Sequence, residues 1–302
     1  MDNLEELFRQ FPYSVATDLR SVPGHLWTEA EELRLRRGYP AVLVASGKEY
    51  TLSGKEMGNI TQEILNNIIN TFLNYSEYAH EQELKNGYVM LEGGHRAGFC
   101  GQAVTEKGTI VTIQAFSSIN LRFAKEIPEA GAEIWSQLLD PQNQFYHTLV
   151  ASPPGCGKTT LLRSLIRRLS DHGYQISVCD ERNEIAGQSR GRFAFDLGKR
   201  TDVISGCSKE QGMLLMLRSM GPQILATDEI GSSEDVTILR RGVAAGVRLL
   251  ATVHAENLKD VIRGPLGPLV KDGTIQRILF LTDKPKRGTI CGVWKGRQED
   301  MV

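Results

Sequence analysis

From Ser152 to Thr160 the chain runs serine, proline, proline, glycine, cysteine, glycine, lysine, threonine, threonine. These residue types in this order suit one task, the holding of phosphate. Gly155 and Gly157 allow the backbone to turn so that successive N–H groups face phosphate oxygens. Lys158 brings positive charge to β and γ phosphates, and Thr159 brings a hydroxyl to Mg²⁺. A helix must follow, and its N-terminus adds the positive end of its dipole. The expected nucleotide contacts are Pro154, Gly155, Cys156, Gly157, Lys158, Thr159 and Thr160, with ATP as the nucleotide. The usual pattern opens on glycine, and here another small residue, Ser152, stands in that place.

A second string, Ile224 to Gly231, is an apolar run that ends in Asp228 and Glu229. Asp228 is expected to hold Mg²⁺, and Glu229 to polarise the attacking water. An apolar run ending in two acids says little alone. About 70 residues after a phosphate loop it points to hydrolysis as well as binding. A third string, Cys179 to Ala186, puts Asp180, Glu181 and Glu184 at a strand end, where open α/β sheets bind ligands. An ordinary charged exit from a strand reads the same way. A fourth, Ala251 to His254, ends another strand. His254 there either bonds a γ-phosphate or serves structure alone.

The elements that must carry these residues alternate. Strands are expected at 148–152, 176–180, 223–228, 248–253 and 277–281. Helices are expected at 158–171, 208–220 and 233–245, with a short one from Glu256. Such alternation predicts an α/β fold with a mostly parallel sheet between helices; with the phosphate loop it resembles the RecA/AAA-like fold of a P-loop NTPase. The residues before it read differently. A helix is expected up to about residue 20, then strand-like runs from Glu32 to Leu52. Ser53 and Glu56 have capping-box spacing. The helix expected next carries Ile64, Leu65, Ile68, Ile69, Phe72 and Leu73 on one face. Strands follow near Tyr88–Leu91, Gly98–Val104 and Ile110–Ile113, then a helix near 128–139. The expected organisation is a smaller α+β N-terminal domain over 1–140 and a P-loop ATPase domain over 141–302.

Composition narrows the class. The chain has 302 residues, 41% of them apolar, enough for real cores. With 35 basic and 36 acidic residues, no global field draws it onto nucleic acid. Five cysteines without a CxxC pair argue against disulfide or zinc frameworks and for a reducing cytoplasm. The acidic, amphipathic start is unlike a signal peptide, and no run approaches the roughly 18 apolar residues of a membrane span.

In this order, the four strings resemble the phosphate loop, acidic box, Asp-Glu strand and histidine box of the secretion ATPase superfamily of hexameric motors. The chain is more closely similar to the stage III sporulation protein AA family within it. That similarity rests on Gly93–Gly101, Ser117–Arg122, Asp180–Gly187, Arg200–Ile204 and Asp228–Gly231, with Asn86–Val89, and covers nearly the whole chain. It implies a Mg²⁺-dependent ATPase in the mother cell of an endospore-forming bacterium. There it would energise or assemble a channel complex between mother cell and forespore during engulfment. It also implies a homo-hexameric ring and membrane-embedded partners like parts of secretion machines. Those partners would hold a cytoplasmic protein at the inner face of the membrane. The N-terminal domain would pack over the nucleotide of its own or a neighbouring subunit.

On this view Glu229 orients water with Glu181 or Glu184 as helper, and Arg122 contacts phosphate. Arg200 and Arg241 are further candidates, or plain surface residues. Two other readings use the same core: a ring ATPase acting on nucleic acid, and a nucleotide-gated scaffold without turnover.

Overall fold

The computed structural model describes residues 2–75, 84–85, 87–124, 127, 129–188 and 193–296. Position 86 of the 86–89 string and position 128 of the expected 128–139 helix lie outside them. The chain forms two compact units, Met1–Lys125 with Gly187–Ala194, and Glu126–Ala186 with Phe195–Val302.

The first unit begins with α1 (Asp2–Phe8), α2 (Tyr13–Arg20) and α3 (Gly24–Thr28). The single helix expected up to residue 20 is broken at Pro12, which lacks an N–H and disfavours helix in the residue before it. Strands β1 (Ala30–Arg36), β2 (Val42–Ala45), β3 (Lys48–Thr51), β4 (Tyr88–Met90), β5 (Arg96–Glu106) and β6 (Thr109–Arg122) form one sheet in the order β3-β2-β1-β6-β5-β4. Every pairing is antiparallel. Helix α4 (Gln62–Phe72) buries Ile64, Leu65, Ile68, Ile69 and Phe72. These join one core with Leu33, Leu35, Leu43, Ala97, Phe99, Ile119 and Leu121 of the sheet. Each large side chain so buried contributes roughly 1.5–3 kcal/mol.

Two local expectations change. Ser53 and Glu56 cap no helix. The N-cap of α4 is Thr61, whose hydroxyl accepts from Ile64 N at 3.2 Å. The 54–58 turn is held instead by Asp18, which accepts from Glu56 N at 2.7 Å and Met57 N at 3.0 Å. Strand β6 runs well past Ile113, because Ile119 and Leu121 continue the inward alternation on the core side.

The second unit carries β7 (Thr148–Ser152), α5 (Lys158–Asp171), β8 (Ile176–Asp180), β9 (Thr201–Ser205) and α6 (Lys209–Ser219). Then come β10 (Ile224–Thr227), α7 (Ser233–Ala244), β11 (Arg248–His254), α8 (Leu258–Arg263), α9 (Gly267–Lys271), β12 (Arg277–Thr282) and β13 (Thr289–Lys295). The sheet order is β13-β12-β7-β11-β10-β8-β9. Only β13 runs antiparallel to its neighbour. Strands β7, β8 and β10 are buried along their whole length, which explains their unbroken apolar runs. Edge strands β9 and β13 escaped the sequence reading because they are half-exposed and carry polar or glycine residues. The 128–139 region holds a short 3-10 helix, Ala132–Gln137, entered through Gly131 at a φ of 73°. Among the described residues no helix is long and apolar enough to cross a membrane.

Asp18 ties α2 to the 54–58 turn through two charge-assisted bonds, so Asp18→Ala is expected to destabilise the first unit by about 1–3 kcal/mol. Urea unfolding followed by Trp27 fluorescence measures this; an unchanged midpoint would show that the turn holds itself.

Candidate functional site

The central strands of the second unit lie side by side as β7, β11, β10 and β8, although β8 follows β7 in the chain. Their parallel register brings their carboxyl ends level. His254 pairs with Ser152, and Thr227 pairs with both Ala251 and Cys179. Each end carries one of the four strings, and strand insertion between β7 and β8 makes the crevice where such sheets bind ligands.

At the end of β7 the chain turns through Gly155 and Gly157, with φ values of 77° and 91°. It then enters α5, which buries Leu161, Leu162, Leu165, Ile166 and Leu169. A Cβ on Gly157 would also stand 3.2 Å from Gly288 Cα, so the β12–β13 turn approaches the loop closely. Lys158 is buried and folds back on its loop. Its Nζ donates to Ser152 O at 2.9 Å, Pro153 O at 3.0 Å and His254 Nδ1 at 3.0 Å. Burial holds its pKa below the usual lysine range, against the opposing pull of Cys156 and Glu229.

An ammonium group has only donors, so His254 Nδ1 accepts and Nε2 carries the proton. Nε2 lies 3.2 Å from Glu229 Oε1 and donates to it. The other carboxylate oxygen of Glu229 takes Arg182 Nη1. Glu229 N donates to Thr252 Oγ1 at 2.8 Å, and the residue has a φ of +23°, a region that non-glycine residues seldom enter. Three partners from two other strand ends thus hold Glu229 where its backbone alone would not stay.

Asp228 is only 4% exposed. Burial pushes its pKa up to about 6, while Lys209 pulls it down. Lys209 Nζ is 3.7 Å from Asp228 Oδ1 and 2.9 Å from Glu181 Oε2. Asp228 Oδ1 is buried without a hydrogen bond. Asp180 serves its own loop: its carboxylate accepts from the backbone N–H of Glu184, Ile185 and Ala186.

An open cleft of about 290 Å³ joins these parts. Pro154, Gly155, Gly157, Lys158, Thr159, Thr160, Glu184, Asp228, Glu229, Thr252, His254 and Arg287 line it. Of the sequence candidates in this unit, Cys156 is buried inside the loop with its Sγ toward Pro154 O, and Glu181 is turned onto Lys209. Arg200 is exposed in the turn before β9, and Arg241 is exposed near the end of α7. Arg122 belongs to the first unit, where its Nε is 3.3 Å from Glu32 Oε1 and its side chain is 62% exposed. Arg182, Lys209, Thr252 and Arg287 were not singled out from the sequence. Arg182 and Thr252 had a signal, their places inside the acidic and histidine strings.

The cleft suits a hard divalent cation such as Mg²⁺, which takes oxygen ligands, few of them from protein. The orphaned Oδ1 of Asp228 and the Thr159 hydroxyl are the oxygens that could hold one. Among the described residues no group of three or more His, Cys, Asp and Glu could hold a metal by itself.

A glycine-turned loop between a buried parallel strand and a helix, facing an acidic strand end, defines a P-loop NTPase fold, here preceded by an antiparallel sheet. Solved structures of the same fold include the ATPase DotB of Legionella pneumophila, with a TM-score of 0.55 and 17% identity, covering 85% of this chain and 73% of that one. The pilus retraction motor PilT with bound ADP gives 0.56 and 19%, covering 85% and 75%. The chain belongs to the family of sporulation stage III, protein AA, whose model matches residues 14–301. It is 35% identical over 298 residues to stage III sporulation protein AA of Bacillus subtilis (strain 168), covering 96% of this chain and 95% of that relative.

Asp228 binds its proton more tightly folded than unfolded, about 6 against an ordinary 3.8. The contribution of Asp228 to folded-state stability therefore falls as pH rises from about 4 to 6. Asp228→Asn is expected to raise stability at pH 7 by on the order of 1–3 kcal/mol and to lose that advantage at pH 4. Thermal unfolding at both pH values checks this. A variant melting below wild type at pH 7 would show that the Lys209 pairing outweighs burial.

Proposed function

We propose that the chain is an ATP-hydrolysing motor subunit that works in endospore formation, energising or assembling the channel complex between mother cell and forespore. The observation that carries the ATPase reading is one cleft lined by Lys158, Thr159, Asp228, Glu229 and His254, residues up to 96 positions apart. Membership of the sporulation family and the folds of DotB and PilT support the biological half.

The loop amides and Lys158 would bind the β and γ phosphates, and Thr159 and Asp228 would hold Mg²⁺. When bound, the metal would neutralise phosphate charge. Glu229 orients water, with Glu184, the acidic-box residue lining the cleft, nearest to helping. His254 joins Lys158 to Glu229 and so links the phosphate-binding and water-orienting groups. Arg122 is the arginine that would contact phosphate. The protein works in the cytoplasm of the mother cell and reaches the membrane through embedded partners.

Lys158→Ala is expected to weaken ATP binding at least about tenfold, while Glu229→Gln keeps binding and loses about 100-fold or more of phosphate release. Equal loss of binding in both variants would reject these roles, and wild-type binding without phosphate release would favour a nucleotide-gated scaffold. If a neighbour completes the site, phosphate release per subunit rises with protein concentration. A rate constant on dilution to monomer would exclude that.

One observation favours the nucleic-acid reading. In the first unit the register puts Arg34, Arg122 and Arg96 on the sheet face opposite the core, with Glu32 paired to the first two and Arg96 over the Tyr88 ring. Salt-dependent binding of single-stranded DNA, lost with Arg96→Ala, would support it.

A further inference from the structure

Arg182 has no part in the ATPase reading above, yet its guanidinium holds the carboxylate that reading depends on. Its Nη1 donates to Glu229 Oε2, while His254 Nε2 engages Oε1 at 3.2 Å. A carboxylate whose two oxygens and charge are committed to a guanidinium and an imidazole is poorly placed to take a proton from water. The arrangement is continuous with the phosphate loop. Lys158 Nζ bonds His254 Nδ1 at 3.0 Å, His254 bonds Glu229, and Glu229 bonds Arg182.

The loop that bears Arg182 is fixed at its base. Asp180 accepts three N–H groups from residues 184–186, and Asn183 N donates to Asp180 O at 3.2 Å. Movement there belongs to the side chain, which is 51% exposed. Glu229, Asp228, Glu184 and Glu181 all act on its charge. An incoming phosphate must offer more than a carboxylate does, and a phosphate oxygen group matches the guanidinium fork with greater negative charge.

We propose that Arg182 is the residue that tells a nucleoside triphosphate from a diphosphate. A γ-phosphate seated at Lys158 draws the guanidinium from Glu229, and the same exchange frees Glu229 to orient water. A diphosphate ends short of that exchange, so Glu229 stays clamped. This rests on the nucleotide reading of the cleft.

The test is equilibrium binding of the full chain, with Mg²⁺, to ADP and to a non-hydrolysable ATP analogue. Arg182→Ala is expected to lose about tenfold or more in affinity for the analogue and less than twofold for ADP. Arg182→Lys, which keeps the charge without the fork, should fall between wild type and Arg182→Ala. It also serves where Arg182→Ala fails to fold, as judged by circular dichroism. Equal losses for both nucleotides, or no loss for either, would overturn the proposal and leave the cleft a nucleotide site. Wild-type protein that binds neither nucleotide would overturn both.

Discussion

Lateral hydrogen bonding among four parallel strands governs the placement of every group in the cleft. Ser152, His254, Thr227 and Asp180 end those strands, and the β7-β11-β10-β8 order sets which stand next to which. A slip of one residue along β11 would reverse the side-chain direction of Thr252 and His254 together and take both from the cleft. The full burial of β7, β8 and β10 works against such a slip, since most of their residues are apolar.

The same ends gather charge in a place that resists it. Lys158, Asp180, Lys209 and Asp228 are each buried, and none is left without compensation of some kind. Asp180 takes backbone amides, Lys209 takes Glu181 and stands near Asp228, and Lys158 takes carbonyls and His254. Lys209 is the most demanding, because it opens α6 at the positive end of a helix dipole. The carboxylates beside it offset both that and its burial. Asp228 Oδ1 stands 3.7 Å from Lys209 yet takes no hydrogen bond, which distinguishes it from its neighbours.

The sequence made the scaffold largely readable where one string carries its own signal. Buried parallel strands are unbroken apolar runs, and the phosphate loop is contiguous. The face of α4 is visible in the spacing of Ile64, Ile68 and Phe72. What stayed hidden depends on distant partners. Ser53 and Glu56 have the spacing of a cap, but the carboxylate that organises that turn is Asp18, far back in the chain. Edge strands β9 and β13 lack the double burial that makes a strand legible. Arg182, Lys209 and Thr252 look like ordinary polar residues until strand order brings Glu229, Asp228 and Glu181 to them. The acidic box shows the same limit from the other side, since spacing alone could not separate Asp180, which holds its own loop, from Glu184, which lines the cleft.

Gly157 answers to two masters at once. Its left-handed backbone lets the loop close over α5, and its missing side chain leaves room for Gly288 and the turn that carries Arg287. The phosphate loop and the β12–β13 hairpin therefore approach each other closely at Gly157. A side chain added at Gly157 would have to push back the hairpin tip, which carries no phosphate-binding motif of its own.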